Sequence, residues 1–241
     1  MVAGKGVERL KNAGINVIVG VLKSECRLHH KQFFTVQEKK RPYIILKWAR
    51  SKDGFIAPFH KEEQQPFWIS NQYSQQLVHK WRAKEHAILV GTNTVIADNP
   101  ELNVRSWFGN NPIRIVLDKN LRIPLNTKVV NSSQKTIFIT NNDNVNKRTT
   151  TKNRAVEGIN FSENVAQQIC KVLQKHQIQS VIIEGGTQTL QTFIDENLWD
   201  EARVFFSQKI LLEGVKAPSF SSPIESRLAI KNDVLNTYIN D

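Results

Sequence analysis

One pattern recurs along this chain and limits what it can become. A short run of β-branched or aromatic apolar residues is followed by a polar or glycine-bearing turn. After the turn, apolar residues return at every third or fourth position. Runs of that kind have strand length, and the longer period is helical, so the chain must alternate strands with helices. Strands are expected at Asn16 to Leu22, Tyr43 to Trp48, Ala87 to Val90, Ile113 to Leu117, Thr136 to Thr140, Ser180 to Ile183, Ala202 to Phe206 and Val234 to Ile239. A helix is expected over residues 5–13 with Gly14 at its end, and another after an N-cap at Ser70, carrying Tyr73, Leu77, Val78 and Trp81. Two more should bury Val165, Ile169, Val172 and Leu173 over residues 163–176, and Leu190, Phe193, Ile194 and Leu198 beyond Thr187. Such alternation implies an α/β sheet with helices on both faces. The last two strands have no long helix between them, so that part should be antiparallel and the sheet mixed.

The 241 residues, 40% of them hydrophobic, suffice for one domain with a substantial core. No apolar run approaches the roughly 18 residues a membrane helix needs. The two cysteines, Cys26 and Cys170, lie far apart without a CxxC, which argues against a disulfide framework and for a reducing, cytoplasmic setting. The net charge of +11 admits two readings: a nucleic-acid surface, or an enzyme whose ligands are anionic. The basic residues are dispersed, which favours the second. Lys39, Lys40 and Arg41 precede Pro42 and read as a solvated linker, so a boundary is placed there. Residues 141–154 read as a surface loop.

Four constellations can carry chemistry. Glu184-Gly185-Gly186-Thr187 follows a buried strand and opens a helix. Two glycines allow close backbone approach, and the free N–H groups of a helix start suit a diphosphate. The same residues also suit a tight turn with no ligand. Glu184 itself stands at a strand end, where ligands of α/β sheets gather. Lys47, inside an apolar strand, either faces solvent or serves a polar cleft. Arg82 and Arg105 flank a segment containing Thr94, Asp98 and Leu102, and an arginine fork binds phosphate. His29 and His30 near Cys26 have too few companions for a metal site, and no HxE with PCxxC is present for a zinc deaminase.

These segments, in this order, resemble the reductase half of the bifunctional riboflavin-biosynthesis deaminase/reductase. The matching stretches are Lys47-x-Ala49-x-Ser51-x-Asp53-Gly54, Trp68-Ile69-Ser70, Arg82-Ala83, His86 to Arg105, Arg114-Ile-Val-Leu-Asp118 and Glu184-Gly-Gly-Thr187. Val2-Ala3-Gly4-Lys5-Gly6, Leu10, Ala13-Gly14-Ile15, Val19-Gly20-Val21-Leu22 and Glu25 resemble the tail of the deaminase domain. The resemblance implies a dihydrofolate-reductase-like fold in residues 42–241, a deaminase remnant with linker in 1–41, and no deaminase activity. It implies reduction of 5-amino-6-(5-phosphoribosylamino)uracil by NADPH without a metal, a homodimer, and neither nucleic acid nor membrane as partner. Lys47 and Glu184 match catalytic positions. Arg82, Leu102 and Arg105 match substrate positions, with the arginines expected to serve the 5′-phosphate. Ala49, Trp68, Thr94, Asp98, Gly186, Thr187, Gln188, Thr189 and Leu190 match cofactor positions.

Three places depart from the family pattern: Pro66 and Lys119, where relatives carry serine, and Gln208, where a proline is frequent. The alternatives are a dihydrofolate-reductase-like oxidoreductase with another substrate, and a basic nucleic-acid-binding module.

Overall fold

In the computed structural model, which describes residues 4–60, 63–131 and 133–240, the strands and helices alternate as the pattern requires. The chain begins with three helices, α1 (Lys5–Asn12), α2 (Lys23–His29) and α3 (Lys31–Lys39), and continues through β1 (Tyr43–Arg50) and β2 (Phe55–Ala57) to α4 (Gln72–Lys84). Next come β3 (Ala87–Gly91), α5 (Thr92–Asp98), β4 (Ile113–Leu117), α6 (Lys128–Asn131), β5 (Thr136–Asn141) and β6 (Arg154–Ile159). The rest is α7 (Val165–Lys175), β7 (Ser180–Ile183), α8 (Thr187–Asp195), β8 (Glu201–Phe206), β9 (Val215–Lys216), β10 (Ser226–Ile230) and β11 (Asp233–Ile239).

Nine strands form one sheet in the order β10-β11-β8-β1-β7-β3-β4-β5-β6. From β8 to β6 all pairings are parallel, and β11 joins β8 antiparallel. The sheet is therefore mixed and mostly parallel, with its antiparallel part among the last strands, as expected. Side chains alternate across β1. Ile44, Leu46 and Trp48 enter the large core beneath α7 and α8, with Ile169, Leu173, Leu190 and Phe193. Tyr43 and Ile45 meet Trp81 of α4 on the other face. Each fully buried aliphatic side chain contributes about 1.5–3 kcal/mol, so both faces are held by packing rather than by helix propensity alone.

Several expectations fail, each for a local reason. Asn16 to Leu22 forms no strand: Gly20 and Leu22 take left-handed conformations (φ 90° and 52°), and Ile18, Val19 and Val21 are exposed. An extended run with no neighbour to pair with lacks ladder bonds. The polar, basic stretch before the boundary at Pro42 forms two helices, α2 and α3, where only a linker at Lys39 to Arg41 was expected. Of the basic cluster, Lys39 and Lys40 are exposed, but Arg41 is buried and pairs with Asp200, which Lys39 also meets at 3.2 Å. Lys31 reaches Glu201 at 2.7 Å, so α3 is tied to the sheet. The α4 N-cap is Asn71, not Ser70, because the Asn71 side chain accepts from the N–H of Tyr73 and Ser74 at 2.9 and 3.0 Å. Residues 141–154 hold a 3₁₀ turn and lead into the edge strand β6. Val2 and Ala3, the start of the N-terminal resemblance, lie outside the described residues. No helix among the described residues is long and apolar enough to cross a membrane.

Candidate active site

A cleft of about 1540 Å³ runs along the carboxyl ends of β1, β7, β3 and β4. Every site residue expected from the sequence lines it: Lys47, Ala49, Trp68, Arg82, Thr94, Asp98, Leu102, Arg105, Glu184, Gly186, Thr187, Gln188, Thr189 and Leu190. Residues that stand in separate parts of the chain thus share one cavity.

Strand register explains the central contact. Leu46 of β1 lies beside Ile183 of β7, so Lys47 and Glu184 are the next step along each strand. Both fall on the face covered by α4, opposite to Leu46 and Ile183. Arg82, near the end of α4, reaches down to this pair. Its Nε and one terminal nitrogen donate to the two Glu184 oxygens at 3.1 and 2.6 Å, and the other nitrogen donates to the Asn103 carbonyl at 3.3 Å. Lys47 Nζ stands 4.0 Å from Glu184 Oε2. Burial alone would push the Glu184 carboxyl up, but the charges of Arg82 and Lys47, with the Arg82 hydrogen bonds, hold it down to about 2. Burial pushes the Lys47 ammonium below its ordinary value, Glu184 partly offsets this, and Arg82 adds to it.

Arg82, which was expected among the substrate-binding residues, thus lies in the cleft paired with Glu184. Arg105 keeps its guanidinium at the exposed rim, where it donates to the Asn103 side chain at 3.0 Å. Beneath it, His79 is buried, and burial together with Arg82 and Arg105 lowers its imidazole to about 4. The neutral ring accepts from the Arg105 N–H at 3.4 Å. Leu102 adopts φ 55° with its side chain in the core beside Val90 and Val95, so it shapes the cleft wall.

The other half of the cleft is backbone. A Cβ on Gly185 would stand 2.6 Å from Val90 Cα and 2.7 Å from Gly91 N, so only glycine lets β7 and β3 approach there. Gly186 has φ 49° and precedes α8 with no side chain capping the helix. Thr187 does not cap it either; its hydroxyl donates to the Lys216 carbonyl. The first N–H groups of a nine-residue helix are thus left to the cleft, an arrangement that fits a diphosphate. The turn after β1 closes one end. Asp53 accepts from Ser51 Oγ at 2.6 Å and from the N–H of Leu211 and Leu212 at 3.1 and 2.8 Å. It thereby pins the stretch after Gln208, and Pro66 and Lys119 also line the cavity. Sequence reasoning missed Arg122 and Phe161, which line it as well; neither belongs to a motif, and only the folded loops bring them in. Among the described residues no group of three His, Cys, Asp or Glu is arranged to hold a metal ion.

Fold and cleft together define a class: an α/β domain with a mixed, mostly parallel sheet and a ligand site at the strand carboxyl ends. Residues 42–240 match the RibD C-terminal domain family. The chain belongs to that family. It is 39% identical over 217 residues to the riboflavin biosynthesis protein RibD of Aquifex aeolicus, covering 89% of this chain and 60% of that protein. A crystal structure from Thermotoga maritima, described as a diaminohydroxyphosphoribosylaminopyrimidine deaminase/5-amino-6-(5-phosphoribosylamino)uracil reductase, superposes with a TM-score of 0.83 at 29% identity. It covers 98% of this chain and 67% of its own. RibD of Acinetobacter baumannii gives 0.82 at 26% identity, over 99% of this chain and 69% of its own. The chain spans about three fifths of the length of the curated relatives it matches. The mixed, mostly parallel sheet flanked by helices that was expected from the sequence is thus the fold shared with these RibD structures.

Proposed function

We propose that this chain reduces 5-amino-6-(5-phosphoribosylamino)uracil with NADPH, converting the ribosyl group to a ribityl chain. The observation that carries this reading is the meeting of Lys47, Glu184 and Arg82 in one cleft with the Gly185-Gly186 turn. When bound, the dinucleotide supplies hydride to ribosyl C1. Gly186, Thr187, Gln188, Thr189 and Leu190 hold its diphosphate against the α8 N-terminus, and Ala49, Trp68, Thr94 and Asp98 line the rest of its path. Lys47 donates a proton to the ring oxygen as the C1–O bond opens, and its lowered proton affinity makes it a better acid near neutral pH. Glu184, kept ionised, fixes Lys47 and Arg82 and has lone pairs left to accept an N–H of the pyrimidine. Leu102 bounds the substrate, and Arg105 at the rim meets the 5′-phosphate. The +11 charge then serves two phosphorylated small molecules rather than a nucleic acid.

The same reading takes residues 1–41 as the tail of a deaminase domain, the enzyme as cytoplasmic, and the assembly as a homodimer; sedimentation tests the last point. The decisive assay follows NADPH oxidation with the purified aminopyrimidine ribosyl phosphate and, separately, with dihydrofolate. Oxidation that requires the pyrimidine is expected. Oxidation with dihydrofolate alone, or with neither, overturns the reading.

A further inference from the structure

The stretch from Glu101 to Arg105, between α5 and β4, has no regular secondary structure, yet its backbone is held at three successive residues. Arg82 donates to the Asn103 carbonyl at 3.3 Å, the Asn111 side chain accepts from the Val104 N–H at 2.8 Å, and His79 Nδ1 accepts from the Arg105 N–H at 3.4 Å. Two of these three clamps come from one face of α4, where His79 and Arg82 stand three residues apart. Leu102 anchors the near end of the stretch in the core. Gly109 closes the far end against the same helix: a Cβ there would stand 2.7 Å from Ala83 Cβ. What this frame presents to solvent is the guanidinium of Arg105.

His79 is the part of the frame that the proposed chemistry leaves unused. Only 4% of it is exposed. Its neighbours decide its state. Burial and the charges of Arg82 and Arg105 disfavour a proton on the ring, and Glu184 and the Asn103 backbone offset them only in part, so the imidazole is neutral above about pH 4. A neutral ring keeps a lone pair for the Arg105 N–H, whereas an imidazolium has none to offer. Leucine would fill the same space without an acceptor and would leave that N–H unpaired. Asparagine would keep one, because its Oδ1 is bonded to Cγ just as Nδ1 is in histidine.

We propose that His79 is a positioning residue: by holding the Arg105 N–H it aims the Arg105 guanidinium at the rim of the cleft and so sets the affinity for the phosphate of the substrate. This rests on the reading that Arg105 meets the 5′-phosphate, and the experiment separates the two. The phosphate lies at the opposite end of the ribosyl group from C1, so its contacts are the same before and during hydride transfer. Losing them raises KM for the pyrimidine and leaves kcat in place.

Steady-state kinetics are measured on the full chain and on His79→Leu, His79→Asn, Arg105→Gln, Asn111→Ala and the double variant His79→Leu/Arg105→Gln, each shown to be folded by circular dichroism. Hydrogen exchange of the Arg105 amide is followed in the same proteins without substrate. A charge-assisted contact is worth about tenfold or more in affinity. His79→Leu should therefore raise KM for the pyrimidine about tenfold, with kcat and KM for NADPH within about twofold of wild type, and His79→Asn should restore most of the loss. The double variant should be no worse than Arg105→Gln, because His79 acts only through that side chain. The Arg105 amide should exchange faster in His79→Leu than in wild type or His79→Asn. A loss of kcat with KM unchanged, a double variant whose effects multiply, or unaltered exchange each overturns the proposal. If His79→Leu is too unstable to assay, Asn111→Ala removes the adjacent clamp from an exposed position, and an unchanged KM for the pyrimidine there overturns it equally. Arg105→Gln with wild-type KM removes the phosphate contact and the proposal with it, even where exchange shows that His79 holds the loop. A wild type that does not reduce the pyrimidine removes the functional reading, and the exchange rates alone then decide whether the clamp exists.

Discussion

Replacing Glu184 by leucine would leave two cations buried together with no counter-charge. Arg82 would lose both of its bonds to the carboxylate, at 3.1 and 2.6 Å, and Lys47 the oxygen 4.0 Å away. Removing one member of a buried pair costs roughly 3–5 kcal/mol, because the remaining charge stays desolvated. For a chain of this length that is a fall in Tm of roughly 6–20 °C. Arg82→Leu should cost a similar amount, since Glu184 would keep only the more distant Lys47. The double variant replaces the pair by apolar groups and should cost less than the two singles summed, with a coupling of at least about 2 kcal/mol. Urea unfolding of the four proteins at neutral pH measures this. Costs that add within about 0.5 kcal/mol would refute the claim that the two groups support each other.

The pH dependence is a second check on the same pair. Glu184 is held at about 2 in the folded chain against its ordinary 4.5, a difference worth about 3 kcal/mol. A depressed carboxyl contributes in full above its unfolded value, and the contribution is lost as pH falls through the folded one. The wild type should therefore lose stability between about pH 4.5 and 2 more steeply than Glu184→Leu. Equal slopes would mean that the carboxylate is not stabilised as the geometry says.

Lys47→Ala should lower pyrimidine-dependent turnover roughly 10²–10⁴-fold while leaving the unfolding midpoint unchanged or higher, since a buried charge is removed; full turnover would strike Lys47 from the mechanism. In the wild type, rate should fall as pH rises through the Lys47 value, and that limb should lie below the ordinary 10.5; a limb at or above it would contradict a buried donor. Gly185→Ala forces a Cβ to within 2.6 Å of Val90 Cα. It should cost about 1–3 kcal/mol and weaken dinucleotide binding, and an unaltered melting curve would show that the strands can part. Asp200→Ala frees Arg41 and Lys39. It should destabilise by roughly 3–5 kcal/mol and speed proteolysis within residues 23–41; an unchanged cleavage pattern would show that the helices do not depend on that anchor.

What could be read from the sequence follows from which signals are local. The central strands β1, β3, β4, β5 and β7 are buried on both faces, so each is a near-continuous apolar run bounded by turns. The edges give no such signal. β6 is Arg154-Ala-Val-Glu-Gly-Ile159 and β10 is Ser226-Arg-Leu-Ala-Ile230, both poorly buried and partly polar. α5 carries Thr92-Asn-Thr-Val-Ile-Ala-Asp98, weak helix formers apart from Ala97, with only Val95 fully buried, so contacts within the fold decide its shape. Asn16 to Leu22 shows the converse. Its β-branched residues satisfy the local preference for a strand, but pairing needs a partner, and among the described residues none is beside it.

The site divides along the same line. Taken locally, Lys47 inside an apolar strand and the Glu-Gly-Gly turn at a strand end suited bland readings as well, and it was the family resemblance that made these residues legible as one candidate site. Their roles were not, because a role depends on which charge stands opposite which. Arg82 and Arg105 are alike in sequence, yet one is buried against Glu184 and the other is exposed at the rim. The difference comes from the parallel register of β1 and β7, which puts Glu184 beneath the end of α4 and leaves the Arg105 loop outside. Moving either strand by one residue would turn Lys47 or Glu184 to the opposite face, into the apolar core around Leu46 and Ile183, where a charge could not remain. The cost of that misplacement means that these two charged groups and the packing of the sheet enforce the same register.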